Sequence, residues 1–360
     1  MLGEKELLRE YALTPQIFES GDKNNVHRSQ EWYDELRNFL NNLLYDIDEK
    51  TLRSGIIISD YCGGNFGVVL ADIRRTAEMK KSDMKENDRH TFIRLIKKLE
   101  KLCVYRPSYY DPTNEDSWIK QAQKTAKEFP IDRIVSTISQ PKSNDNQEVF
   151  GLYELQKRRG QFWILPDKDI RLSQNIKKQV EALEKFLQFS SAISFICPYF
   201  ALGVSGQDEV SLAPEGNFPI ELLKKKIQSC NDFVQLKSFS LITCAEKIAK
   251  TYEEIARRCT TTIANSVPKS DSFDINVYVL PKEFKQRRVL FGKKENDDFK
   301  SQWGISMDHY VIKDDKTSKK FEKLDEKHKF SLMQGTELTE TRDKYFPSDL
   351  KPDWSSKWGK

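Results

Sequence analysis

Apolar residues recur along this chain with two periods, and the places where the period changes divide it. From Gln30 to Tyr45, the residues Trp32, Leu36, Phe39, Leu40 and Leu43 fall on one stripe of a 3.6-residue repeat, which predicts an amphipathic helix. A second helix is predicted from Thr91 to Leu102. There Phe92, Leu95, Ile96, Leu99 and Leu102 face one way, while Arg94, Lys97, Lys98 and Lys101 face the other. With a short helix over Glu4 to Tyr11, these define a helical N-terminal region. It ends near residue 112, where Pro107-Ser108-Tyr109-Tyr110-Asp111-Pro112 reads as a linker, because two prolines disfavour helix on both sides. Between the helices, Ile56, Ile57 and Ile58 lead into Cys62-Gly63-Gly64-Asn65-Phe66-Gly67. This is a turn signal that matches neither glycine-rich phosphate-binding fingerprint.

Beyond the linker the pattern changes to alternation. A helix over Asp116 to Glu128 precedes strand-like Ile131 to Ile138. Phe162-Trp163-Ile164-Leu165 reads as a strand halted by Pro166, and Ser173 as the cap of a helix bearing Ile176, Val180, Leu183 and Leu187. Ala192 to Cys197, Leu236 to Thr243 and Phe273 to Leu280 are apolar strands separated by helical Ile220 to Ile227 and Ala245 to Arg258. Alternating strand and helix predicts a mainly parallel or mixed sheet covered on both faces, with Ile131 to Ile138 and those three strands as neighbours in one layer. Val289 to Gly292, His309 to Ile312 and Phe330 to Met333 read as short strands near a sheet edge. The residues from Pro347, including Trp354 and Trp358, show no period and read as a tail.

Charge narrows the function classes only a little. The chain has 360 residues, with 59 Lys and Arg against 55 Asp and Glu, a formal net charge of +4 that permits nucleic-acid binding without requiring it. Cys62, Cys103, Cys197, Cys230, Cys244 and Cys259 form no CxxC pair and lie at no metal-ligand spacing from a histidine, so neither a zinc site nor a disulfide framework is expected. No segment reads as a signal peptide or a membrane span, so the expectation is a cytoplasmic protein with no cofactor.

Candidate chemistry is sparse and mostly cationic. Residues 71 to 110 hold eleven Lys and Arg against six Asp and Glu, and Tyr105, Tyr109 and Tyr110 follow the basic face of the 91–102 helix. Cations for phosphates beside rings for stacking suit a nucleic-acid surface, although a solvated helix explains the same pattern. Asp314-Asp315-Lys316 offers the acidic residues and lysine of a metal-dependent nuclease. Similar triplets at Asp48-Glu49-Lys50 and Asp325-Glu326-Lys327 make that signal nonspecific. His309, beside Asp308 and Trp303, is the histidine best placed for acid or base work, whereas His328 between two lysines reads as exposed.

Two further segments point to a family. Glu283-Phe284-Lys285-Gln286-Arg287-Arg288-Val289-Leu290 follows the strand ending at Leu280, and Gly304-Ile305-Ser306-Met307-Asp308 comes after a loop. This order resembles bacterial proteins with a phospholipase D-like C-terminal domain, related to the MIT C-terminal domain, which carry FHDRYLI and then a G-I-x-L-x-x-G-F-D segment. The opening Glu4 to Pro15 is similar to the start of those chains, and Phe195-Ile196-Cys197-Pro198-Tyr199 to their FIDPH strand end. The resemblance implies an α/β fold in which a helical N-terminal domain (1–112) precedes a mixed-sheet phospholipase D-like domain (113–345) and a tail (346–360). It places the family's catalytic histidine on Lys285, the following Asp on Gln286, the Arg on Arg287, and the Asp of FIDPH on Cys197. None of His27, His90, His309 and His328 has a lysine two positions on, so no HxK nucleophile pair exists in the chain. The expected function is therefore a non-catalytic phosphate- or nucleic-acid-binding subunit of a bacterial anti-phage assembly, with no catalytic or metal residues. Its partners would be other protein subunits and DNA or RNA, and Lys285, Arg287, Arg288, Arg94, Lys97, Lys98 and Lys101 would make the anion contacts. The alternatives are a phosphodiesterase or nuclease with a rebuilt site and a pure protein-interaction scaffold.

Overall fold

The computed structural model describes residues 6–18, 29–45, 47, 55–61, 71, 73–75, 85–106, 118–128, 131–137, 149–157, 162–163, 165–173, 175–198, 200–201, 214–244, 250–269, 272–281, 284, 287–295, 298–307, 327–333, 335–347 and 351–358. The fold is mixed α/β with two sheets. It divides into a unit formed by Leu8–Pro166 and a second formed by Met1–Leu7 with Asp167–Lys360. The expected boundary at 112/113 thus falls inside the first unit, because the strands on either side of it pair in one sheet.

That first unit is a five-stranded parallel sheet rather than a helical domain. Its strands are β1 (Arg9–Leu13), β2 (Ile56–Asp60), β3 (Cys103–Tyr105), β4 (Arg133–Val135) and β5 (Val149–Phe150), in the order β3-β2-β1-β4-β5. Strand β1 replaces the helix expected over Glu4 to Tyr11, since its residues are needed in the sheet's centre, where both faces are covered. Tyr11 and Leu13 join Ile56, Ile58 and Val135 in a core completed by α1 (Gln30–Leu43) and α2 (Glu86–Leu102). Ala12 and Ile134 face the other way, against Ala122 and Ala126 of α3 (Trp118–Glu128). Both sequence-predicted amphipathic helices form on their expected apolar stripes. Ser29 caps α1 by accepting from the Trp32 N–H at 3.2 Å. Phe162 and Trp163 form no strand; their rings pack on Tyr11 with centroids 5.5 Å and 4.6 Å away. The helix α4 (Leu152–Lys157) follows β5 directly.

On the α3 side, β1 carries a carboxylate in its interior. Glu10 and Arg106 are both fully buried, and Glu10 Oε1 accepts from Arg106 Nε at 2.8 Å and from Ser59 Oγ at 2.6 Å. Nearby, the Tyr61 hydroxyl lies 2.6 Å from Thr125 Oγ1, and burial raises its pKa.

The second unit is an eight-stranded mixed sheet in the order β13-β9-β8-β7-β10-β11-β12-β6. Here β6 is Asp169–Ser173, β7 Ala192–Ile196, β8 Ser238–Cys244, β9 Phe273–Leu280, β10 Arg287–Glu295, β11 Asp298–Met307, β12 Lys327–Met333 and β13 Trp354–Trp358. Strands β7, β8 and β9 are parallel neighbours, as expected; the continuous burial of β7 and β8 and the alternating burial of β9 match their apolar runs. The segment Ile131 to Ile138 is not their neighbour: it supplies β4 of the other sheet, so the single-layer expectation fails. Val289 to Gly292 is also central rather than near an edge, within a β10–β11 hairpin that joins β7 antiparallel. The expected tail forms β13 on the outer side of β9.

Helices cover this sheet as α5 (Ile176–Glu181), α6 (Glu184–Gln188), α7 (Pro214–Lys225), α8 (Tyr252–Ser266) and α9 (Gly335–Tyr345). Asn175 rather than Ser173 caps α5, accepting from the Lys177 and Lys178 N–H groups, and Thr251 caps α8. A single π-helical turn, Lys226–Cys230, prolongs α7. Cys197, Cys230, Cys244 and Cys259 are buried free thiols, and Cys103 is a partly buried one.

Breaking a buried ion pair by removing one partner strands the other charge. Glu10→Ala should therefore cost about 3–5 kcal/mol of the first unit's stability in urea unfolding, and Glu10→Ala with Arg106→Met should recover most of it. A single-variant cost below about 1 kcal/mol would show that the pair is not needed.

Candidate anion-binding surfaces

Helix α2 is two-sided by sequence, and the structure uses both sides. Phe92, Leu95, Ile96, Leu99 and Leu102 are buried, which turns His90, Arg94, Lys97 and Lys101 to solvent at spacings of four, three and four residues. These four residues, with Ile93 and Lys98, line an open groove of about 550 Å³. Two of the three acidic residues of the same helix are engaged away from it, and the third, Glu86, lies in its first turn. Asp88 pairs with Arg37 at 2.5 Å, and Glu100 holds Arg74 through both carboxylate oxygens at 2.8 Å and 3.1 Å. Among the described residues Arg94, Lys97 and Lys101 have no anionic partner, so the groove wall carries uncompensated positive charge. Lys98 differs from them. It is half-buried, and its Nζ donates to the Leu44 carbonyl at 2.9 Å, closing the end of α1.

Of the second expected cluster, the described members Arg287 and Arg288 do not converge. Because β10 starts at Arg287, Arg287 and Arg288 occupy successive strand positions and point to opposite faces of the sheet. Arg287 is buried at 5% exposure with its guanidinium 6.0 Å from the ring centroid of Phe218 on α7. Arg288 turns the other way, donating from Nη1 to Thr341 Oγ1 and from Nη2 to Glu337 Oε1 at 3.4 Å on α9. Both side chains thus contact helices that cover the sheet, Arg287 on the α7 face and Arg288 on the α9 face. Lys285 lies outside the described residues, as do His309, Asp314, Asp315, Tyr109, Tyr110 and the Cys62–Gly67 turn.

The residues around the resembled motifs are packed rather than open. Cys197 follows β7 fully buried, its N–H donating to the Ile242 carbonyl at 2.9 Å. Next to it, Thr243 Oγ1 accepts from the Ala201 N–H at 3.0 Å. Gly304 on β11 admits α9 to the sheet, since a Cβ there would lie 2.3 Å from Met333 Cε, 2.7 Å from Leu338 Cδ1 and 3.1 Å from Leu290 Cδ2. His328 is half-buried on β12, paired in register with Leu172, rather than exposed. On the same strand Lys329 pairs with Asp169 at 3.0 Å. Hydrogen bonds from Ser331 and Lys329 lower the Asp169 pKa.

Two buried charges went unnoticed in the sequence. Lys226 lies on the apolar stripe formed by Leu222, Leu223 and Cys230, and Glu10 lies inside the run from Leu7 to Leu13. A charged residue in phase with buried neighbours is the signal that marks both.

Among the described residues no group of three or more His, Cys, Asp and Glu is placed to hold a metal ion, and no helix is long and apolar enough to cross a membrane. The chain matches no protein-family model, no curated protein and no solved structure.

Arg288→Met should remove the tie between β10 and α9 and cost about 1–2 kcal/mol in urea unfolding. Gly304→Ala should cost about 1–3 kcal/mol by forcing Met333 and Leu338 aside. If either variant is as stable as the natural chain, the docking of α9 does not depend on these residues.

Proposed function

We propose that this protein is a non-catalytic nucleic-acid-binding subunit that holds backbone phosphates along α2. The carrying observation is the stripe of Arg94, Lys97 and Lys101, exposed on one helix face without anionic partners among the described residues, while Asp88 and Glu100 of that helix are paired with Arg37 and Arg74. Over the seven residues from Arg94 to Lys101 a helix rises about 10 Å, enough for these cations to reach consecutive phosphates of one strand. The resemblance to phospholipase D-like bacterial proteins supports placing it beside other protein subunits in an anti-phage assembly. Lysine at the family's histidine position supports a role without hydrolysis.

Binding of this kind is electrostatic and falls steeply with salt. By fluorescence anisotropy on a labelled DNA duplex, log affinity should decline with log salt by about 0.9 for each neutralised phosphate. Replacing Arg94, Lys97 and Lys101 together by Glu should lower that slope by about three and abolish binding near physiological salt. Arg288→Met should leave the affinity unchanged. Equal affinity in the triple variant would reject the α2 surface. Absence of any binding by the natural chain would favour a protein-interaction scaffold.

A further inference from the structure

The end of α1 brings an aromatic ring to the basic stripe of α2. Tyr45, the second residue beyond that helix, is 56% exposed, although Leu44 before it and Ile47 after it are both buried in the core. Its place is set by Lys98. The carbonyl that Lys98 Nζ reaches at 2.9 Å belongs to the peptide unit joining Leu44 to Tyr45, and Lys98 also lines the groove of α2. On the helix surface Lys98 lies between Arg94 and Lys101, whose Cβ atoms stand about 5–6 Å from its own. Through that one lysine an exposed ring is set beside the exposed cations, all within the first unit. Tyr109 and Tyr110, the rings expected to stack there, lie outside the described residues, as do Asp46, Asp48 and Glu49, which follow Tyr45 in the sequence.

Cations alone favour duplex. It carries the denser charge, so each phosphate contact releases more counterions there, about 0.9 per phosphate against about 0.7 on a single strand. A ring works the other way. It needs the open face of a base, which a single strand offers and a duplex keeps stacked inside. One such contact contributes about 5- to 150-fold in affinity, enough to outweigh the electrostatic difference over three cations.

We infer that the α2 surface takes single-stranded nucleic acid in preference to duplex, with the Tyr45 ring as the platform on which one base stacks. This rests on the reading of α2 as a phosphate-binding surface and adds the substrate class to it.

The test is fluorescence anisotropy of the full chain on one labelled oligothymidylate, alone and annealed to oligoadenylate, so that the labelled strand is the same in both probes. The natural chain should bind the single strand more tightly. Tyr45→Ala should lower the ratio of single-strand to duplex affinity by about 5- to 150-fold, and Tyr45→Trp should restore it. In both variants the salt slope on the single strand should keep its natural value, because no phosphate contact is lost. Tighter binding to duplex by the natural chain, or an unchanged ratio in Tyr45→Ala, would overturn the inference. The α2 reading itself would still stand if replacing Arg94, Lys97 and Lys101 by Glu abolished binding to both probes, and would fall, with this inference, if that triple variant bound both as the natural chain does. Should Tyr45→Ala lose its far-ultraviolet circular dichroism, ultraviolet crosslinking of an iodouracil-substituted strand to the natural chain decides instead. A crosslink on Tyr45 supports the platform, whereas crosslinks confined to other residues exclude it.

Discussion

The first unit depends on accommodating a carboxylate at the centre of a sheet that is covered on both faces. Glu10 sits on the middle strand, where water is excluded, and its charge is tolerated because Arg106 and Ser59 both donate to one oxygen. Those donors arrive from different places in the chain, since Ser59 lies on β2 and Arg106 follows β3. Serving that one oxygen therefore requires β1, β2 and β3 to be in register together. The neighbouring pair of Tyr61 and Thr125 reaches from the same face to α3, so polar contacts fix that helix where a purely apolar face would allow it to slide.

In the second unit the corresponding constraint is strand alternation. Arg287 and Arg288 are adjacent in sequence, yet one lies under α7 and the other under α9, which fixes a helix on each face of the sheet at the junction of β7 and β10. The same geometry explains why two adjacent arginines, in a segment that reads as an anion-binding loop, contact helices on opposite faces. On α2, by contrast, a helical repeat gathers Arg94, Lys97 and Lys101 on one side. Similar sequence charge thus leads to opposite uses, and the period of the host element decides which.

Legibility followed burial. Strands β7 and β8, buried on both faces, were visible as apolar runs, β9 as an alternating one, and α1 and α2 as stripes with a polar back. Strand β1 was misread because a charged residue inside it imitates the polar phase of a helix; only the three-dimensional partner of Glu10 resolves the conflict. β4 was visible as a strand but assigned to the wrong sheet, because sequence order gives no sign that residues 107–117 do not separate two domains. On the basic face of α2, Arg94, Lys97 and Lys101 were legible, whereas the donation of Lys98 to the Leu44 carbonyl was not. The inward turn of Arg287 and Arg288 was not, because it rests on where β10 begins. The burial of Lys226 was readable in principle from its phase with Leu222, Leu223 and Cys230.

Strand β13 has a consequence for how the second unit is made. It pairs with β9 from Trp354 opposite Val277 to Trp358 opposite Phe273, covering an edge of apolar strand that would otherwise expose its N–H and C=O groups. During synthesis β9 leaves the ribosome well ahead of β13, and at ordinary elongation rates the interval is about 4–15 seconds. For that time the outer edge of β9 is open to any extended segment, including the same strand on a neighbouring nascent chain. Polysomes translating this message therefore hold many copies of an unsatisfied edge close together, and the emergence of β13 is what makes each copy safe from its neighbours.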